Sequence, residues 1–205
     1  MERTDYHFRE ERSGRAEAPL LFAFHGTGGD ENQIFDLARA LLPEADLIAP
    51  RGDTMENGMR RFFRRKAEGT YDMEDVARQS ERMAGFVGAR AERIGAKNLL
   101  GIGYSNGANI LATTMMRDPS LMDAAVLMHP LIPFDPAAQP GLKGRRILIT
   151  AGRRDPICPM PETERFAEWL HEQGAEVETA WHDGGHEIRP EELQAARMFF
   201  AAVAA

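Results

Sequence analysis

Ser105, His186 and Asp155 are the residues of this 205-residue chain whose types and settings point to nucleophilic acyl transfer. Ser105 lies in Gly103-Tyr104-Ser105-Asn106-Gly107, a G-x-S-x-G pattern between an apolar run and an amphipathic one. A nucleophile on a sharp strand-to-helix turn needs small neighbours, because other backbone passes close by. Gly107 and Ala108 meet that need. A serine hydroxyl is a weak nucleophile until a base takes its proton. His186, in Asp183-Gly184-Gly185-His186, follows the last expected strand, where a glycine turn can swing an imidazole over the sheet edge. Asp155, in Gly152-Arg153-Arg154-Asp155-Pro156, follows another strand and would hold the histidine tautomer and stabilise the imidazolium.

Acyl transfer also needs donors for the developing oxyanion. The helix after Ser105 offers the Asn106 N–H, and the His25-Gly26-Thr27-Gly28-Gly29 turn can offer that of Thr27. His182 is a rival base and Asp183 a rival acid, although Asp183 is too near His186 in sequence to orient it easily. His25 and His129 read as hydrogen-bonding residues that shape their turns, and Cys158 as a small buried residue. His182 and His186 have the i, i+4 spacing of a helical zinc face, but the two glycines between them argue against a helix. No metal and no organic cofactor is expected.

Residues 51–71 carry six basic side chains against three acidic ones (Asp53, Glu56, Glu68) in a chain of net charge −7. Two readings of Arg60-Arg61-Phe62-Phe63 follow. Either the loop is solvated with Phe62 and Phe63 plugged into the core, or one phenylalanine walls an acyl pocket while Arg60 attracts an anionic substrate group.

The elements that must position these residues alternate between short apolar runs and amphipathic stretches, the pattern of a mostly parallel sheet wrapped by helices. Strands are expected at 20–24, 47–49, 99–104, 124–128, 147–150 and 176–181. Helices are expected at 31–42, 74–95, 107–117, 162–173 and 190–203, with 51–71 a long loop. Ser105, Asp155 and His186 all then fall at C-terminal strand ends, where α/β sheets place their sites. No repeat or linker interrupts residues 1–205, which read as one domain, a minimal core with no room for a large lid.

With 43% hydrophobic and 28% charged residues, the composition is that of a soluble globular protein. The acidic balance argues against nucleic acid or an anionic membrane as partner. Met1-Glu2-Arg3-Thr4-Asp5 has no apolar leader character, no run is long enough to span a membrane, and the single cysteine can form no internal disulfide. These features point to the cytoplasm. Exposed apolar helix faces would support a homodimer.

The motifs at 25–29, 103–107, 152–156 and 185–186 together resemble those of the phospholipase/carboxylesterase family of small α/β-hydrolases. The resemblance is greatest to the bacterial branch associated with hydroquinone and aromatic-compound stress, through Asn57-Gly58-Met59-Arg60-Arg61-Phe62-Phe63. Thioesterase members usually carry Gln where Asn106 stands and Gly where Ala108 stands. The resemblance implies an α/β-hydrolase fold with a doubly wound sheet and a serine carboxylesterase; with no lid helix to shield a long lipid chain, short- or medium-chain or aryl esters are expected. A thioesterase, a lysophospholipase-type hydrolase and a non-catalytic small-molecule binding protein are the alternatives.

Overall fold

Leu20–Phe24 is apolar at every position and buried at every position, which requires a strand covered on both faces. The computed structural model describes residues 5–67 and 69–203. Met1 to Thr4, read above for a leader, and Glu68, counted above in the loop charge, lie outside the described residues.

The chain begins with β1 (Phe8–Glu11), β2 (Leu20–Phe24), α1 (Phe35–Leu41) and β3 (Asp46–Pro50). Two small hairpins follow, β4 (Thr54–Glu56) with β5 (Met59–Arg61), and β6 (Arg65–Ala67) with β7 (Thr70–Tyr71). Then come α2 (Met73–Ile94), β8 (Leu99–Tyr104), α3 (Asn106–Arg117), β9 (Ala124–Met128) and β10 (Arg146–Gly152). The last elements are α4 (Met160–Glu172), β11 (Glu176–His182) and α5 (Pro190–Val203).

Seven strands form one sheet in the order β1-β3-β2-β8-β9-β10-β11, parallel throughout except for the antiparallel edge strand β1. Phe35, Ala38 and Leu41 of α1 share a core with Ala196, Phe199 and Phe200 of α5 on one face. On the other face Met83 and Phe86 of α2, Ile110 and Leu111 of α3, and Phe166 and Leu170 of α4 share a second core. The sheet is thus doubly wound. From β2 the chain first adds β3 on one side and later β8 on the other, so the strand order reverses between β2 and β8, where such sheets open a crevice at their C-terminal ends.

Local chemistry fixes the boundaries of α2. Asp72 caps it by accepting from the Asp75 N–H, and Gly95 ends it in the left-handed region.

Three expectations change. Residues 31–34 are turn rather than helix, because the Asp30 carboxylate accepts the Asn32 N–H at 2.9 Å and holds the chain in a competing local bond. The stretch 51–71 is two hairpins rather than an open loop. Strand β1 is an addition that its mostly charged sequence, Phe-Arg-Glu-Glu, did not announce.

Candidate active site

The C-terminal end of β8 turns into α3 through Ser105, whose backbone has φ 53° and ψ −117°. A non-glycine residue there is strained by about 1–3 kcal/mol and persists only where its surroundings over-determine it. They do so here. A Cβ on Gly107 would stand 2.0 Å from the Phe24 carbonyl oxygen, so only glycine lets α3 start against the end of β2.

Ser105 Oγ lies 2.9 Å from His186 Nε2, and His186 Nδ1 lies 2.7 Å from Asp155 Oδ2. The aspartate lies beyond β10 and the histidine beyond β11. A Cβ on Gly152 would meet the Gly185 carbonyl oxygen at 2.1 Å, so this glycine lets the histidine loop lie across the strand end. Tyr104 anchors that loop by donating its hydroxyl to the His186 carbonyl at 2.6 Å.

Four donors converge on Asp155. Oδ2 takes both His186 Nδ1 and His129 Nδ1, the latter at 2.9 Å, while Oδ1 takes the N–H groups of Ile157 and Cys158. Burial pushes this carboxyl up, but the bonds from His129, His186 and the two amides outweigh it and hold the group well below the usual carboxylate range. Asp155 therefore stays ionised, His186 Nδ1 donates to it, and His186 Nε2 is left as the acceptor facing the serine.

Ser105 and His186 open into a cavity of about 280 Å³ that Thr27 and Asn106 also line. Asn106 is the first residue of α3, where amide N–H groups have no carbonyl partner within the helix. Its side-chain Oδ1 accepts the Phe62 N–H at 2.8 Å and ties the hairpin region to the serine turn. The rest of the wall comes from Tyr71, Tyr104, Asn109, Leu131, Ile157, Cys158, Gly69 and two arginines, Arg61 and Arg65.

None of the three expected substrate contacts, Phe62, Phe63 and Arg60, is among the residues that line the cavity. Phe62 is fully buried, packs edge-on to Phe24 with ring centroids 5.9 Å apart, and faces His25 rather than the cavity. Phe63 is also fully buried and stands behind Tyr71, which supplies the wall in its place. Arg60 is not among the lining residues. Its neighbour Arg61 is, and donates to Thr27 Oγ1 at 2.9 Å. Strand alternation in the short hairpin turns successive side chains to opposite sides, so the one-residue difference decides which arginine faces the site. Accordingly, Phe62→Ala is expected to lower stability by about 3–5 kcal/mol, read by urea unfolding. It should leave the ratio of acetate to hexanoate ester turnover within twofold; a large change in that ratio would restore Phe62 to the pocket.

The remaining histidines take structural positions. His25 is held between the Gly26 carbonyl and the Gly52 N–H, with burial lowering its basicity. His182 accepts the Gly184 N–H on Nδ1 and turns its other nitrogen to Glu192, away from Ser105. Asp183 is largely exposed and sits near Arg153. The Cys158 thiol is buried and donates to the His129 carbonyl; burial and the neighbouring Asp155 charge push it well above the ordinary thiol range.

The contacts of His129 with Asp155 on one side and with Glu192 on the other escaped sequence reasoning because they join β9, β10 and α5. The sets His129–Asp155–His186 and His129–His182–Glu192 bring ligand-type atoms within 4.8 Å of one another. In each, nitrogens face carboxylate oxygens at 2.7–3.2 Å, the spacing of groups paired with one another, and we assign no ion to them.

A sequence model of the phospholipase/carboxylesterase family matches residues 7–204. The protein named "Putative hydrolase MhqD" from Bacillus subtilis (strain 168) is 35% identical over 183 residues, 88% of this chain and 92% of that protein. The crystal structure of Atu2452, a protein of unknown function from Agrobacterium tumefaciens, is 53% identical, with a TM-score of 0.89 and 97% of each chain covered. A Bacillus cereus carboxylesterase is 33% identical, with a TM-score of 0.90 over 97% of this chain and 94% of that one. Among the described residues, no helix is long and apolar enough to cross a membrane.

Proposed function

Since the chain belongs to the phospholipase/carboxylesterase family and is an esterase of the α/β-hydrolase fold, we propose that it hydrolyses short-chain or aryl carboxylic esters through an acyl-enzyme on Ser105. The observation that carries this reading is the unbroken line of contacts from Ser105 Oγ through His186 to Asp155 at the wall of the cavity.

In the proposed reaction Ser105 Oγ attacks the ester carbonyl carbon as its proton passes to His186 Nε2. The imidazolium is stabilised by Asp155, and the carbonyl oxygen, now negative, accepts the N–H groups of Thr27 and Asn106. Collapse breaks the carbonyl–alkoxy bond, and His186 returns the proton to the leaving alcohol or phenol. Water then attacks the acyl-serine with His186 again as base, releasing the acid and restoring the hydroxyl.

Cavity size supports short acyl groups. About 280 Å³ is at the small end of ligand sites, which run from about 300 to 1,000 Å³. Tyr71 closes the wall through bonds to Asn109 and the Leu131 carbonyl, each 2.8 Å. This closure disfavours the long chains of a lysophospholipase. The buried single cysteine suits a reducing cytoplasm, where we place the reaction.

The test is labelling with a fluorophosphonate, followed by a panel of p-nitrophenyl esters. One adduct per chain on the Ser105 peptide is expected, with kcat/KM falling at least about tenfold between butyrate and decanoate. Labelling at another serine would overturn the nucleophile. A rate rising toward decanoate would overturn the short-chain assignment.

A further inference from the structure

His129 is fully buried and lies between two carboxylates, with Nδ1 2.9 Å from Asp155 Oδ2 and Nε2 3.0 Å from Glu192 Oε1. Its position is strained as well as enclosed. At φ 51° it follows β9 in the left-handed region, just as Ser105 follows the neighbouring strand β8. The oxygen it contacts is the one that also takes His186 Nδ1.

Proton accounting determines the state of this residue. An ionised Asp155 can only accept, so the Nδ1 contact needs a proton on His129, while the Nε2 contact with Glu192 is a close ion-pair approach without hydrogen-bond alignment. Asp155 accepts four donors and stays ionised. Glu192 accepts the Thr150 hydroxyl at 2.6 Å on Oε1 and the Arg189 N–H at 2.7 Å on Oε2, the pattern of a carboxylate. His129 Nδ1 therefore carries a proton, and a second on Nε2 sets a positive charge between the two carboxylates. His182 differs, because its Nδ1 accepts the Gly184 N–H and only Nε2, 3.2 Å from Glu192, is left to carry a proton.

We infer that His129 is a buried imidazolium that serves as a positioning residue, holding Asp155 ionised toward His186 and setting the pH at which the relay becomes competent. This rests on the reading of Ser105, His186 and Asp155 as the catalytic relay. Desolvation lowers the basicity of His129, but its bonds to Asp155 and Glu192 more than offset that and raise its pKa to about 9. The groups facing it are Asp155 beyond β10, Glu192 of α5, His182 of β11, Tyr104 of β8 and His186 itself, whose ring centroid is 5.0 Å away. A positive charge at that distance, bonded to the same Asp155 Oδ2, bears directly on the His186 ring.

The sign follows. Removing the charge makes His186 easier to protonate, and protonated His186 cannot act as the base. The acid limb of kcat/KM for p-nitrophenyl acetate should move up by about one pH unit in His129→Asn. Asparagine tolerates the left-handed backbone and keeps an amide donor. Activity should then drop about tenfold at pH 6 and less than threefold at pH 9. The double variant His129→Asn with Glu192→Gln removes the opposing buried charge as well. It guards against misfolding, and its limb should still move up, though by less, because Glu192 is farther from His186 than His129 is.

A second readout needs no turnover. Nitrogen-15 NMR of the Ser105→Ala protein should show one imidazole, assigned to His129 by its loss in the variant, with both nitrogens protonated at pH 7.5. An unmoved limb, an equal loss at every pH or a neutral His129 at pH 7.5 would each overturn the inference while leaving the relay intact. Wild-type turnover in Ser105→Ala would instead overturn the relay itself.

Discussion

Ser105→Ala should lower kcat for p-nitrophenyl acetate by about 10⁴- to 10⁶-fold and abolish the burst of p-nitrophenol. Without Oγ no acyl-enzyme forms, and only the cavity and its amide donors remain to favour attack by water. Stability should scarcely change, because alanine keeps the same backbone angles, φ 53° and ψ −117°, and the lost hydroxyl reaches only the partly exposed His186. Ser105→Gly separates the two consequences. It should be equally inactive but more stable by about 1 kcal/mol in urea unfolding, since glycine relieves the strained turn. A Ser105→Ala protein with more than a tenth of the wild-type rate would remove the nucleophile from the mechanism.

Asp155→Asn should cost about 10⁴-fold in kcat, and unlike the serine variant it should also weaken the fold, by about 3–5 kcal/mol. An amide NH₂ in place of Oδ2 would face two imidazole N–H groups. His186 would then turn to the tautomer that presents Nε2–H to Ser105, where it cannot accept a proton. His129 would lose one of the two carboxylates between which it is buried.

Stability against pH gives the same variant a second signature. A carboxyl held below its ordinary range stabilises the fold above that range and loses the contribution as pH falls. His129, raised to about 9, stabilises the fold below its ordinary value of 6.5 and loses the contribution as pH rises through 9. Wild-type protein should therefore lose stability between pH 7 and about 9.5, and Asp155→Asn should show a flatter curve. Urea midpoints at pH 5, 7 and 9.5 would decide this, and parallel curves would contradict the coupling.

Much of the architecture could be read from short stretches of sequence. Runs such as Leu20–Phe24 and Ala124–Met128 are buried throughout, and continuous apolar sequence states that directly. The turn at Ser105 was legible because its strand, glycines and helix are contiguous. Asp155 and His186 were legible because each follows a clear strand, and the sheet gathers strand ends. The hairpins were not, since strands of two or three residues are too short for an alternating pattern to emerge. For the same reason nothing in Arg60-Arg61-Phe62-Phe63 tells which side chains face inward. Strand β1 carries one apolar residue in four and is specified by pairing with β3 rather than by its own composition. The pairing of His129 with Glu192 joins two remote elements and leaves no local trace.

The site takes Thr27 from beyond β2, Ser105 from beyond β8, His129 and Asp155 from beyond β9 and β10, His186 from beyond β11 and Glu192 from α5. During synthesis the proposed nucleophile, Ser105, thus emerges from the ribosome well before its proposed base, His186. A chain stalled after β10 would present a serine hydroxyl with no imidazole to deprotonate it, and such a fragment would be inert toward the esters around it. Catalytic competence arrives in one step, with the last strand and helix, and a single colorimetric reading would report on the completion of translation and folding alike.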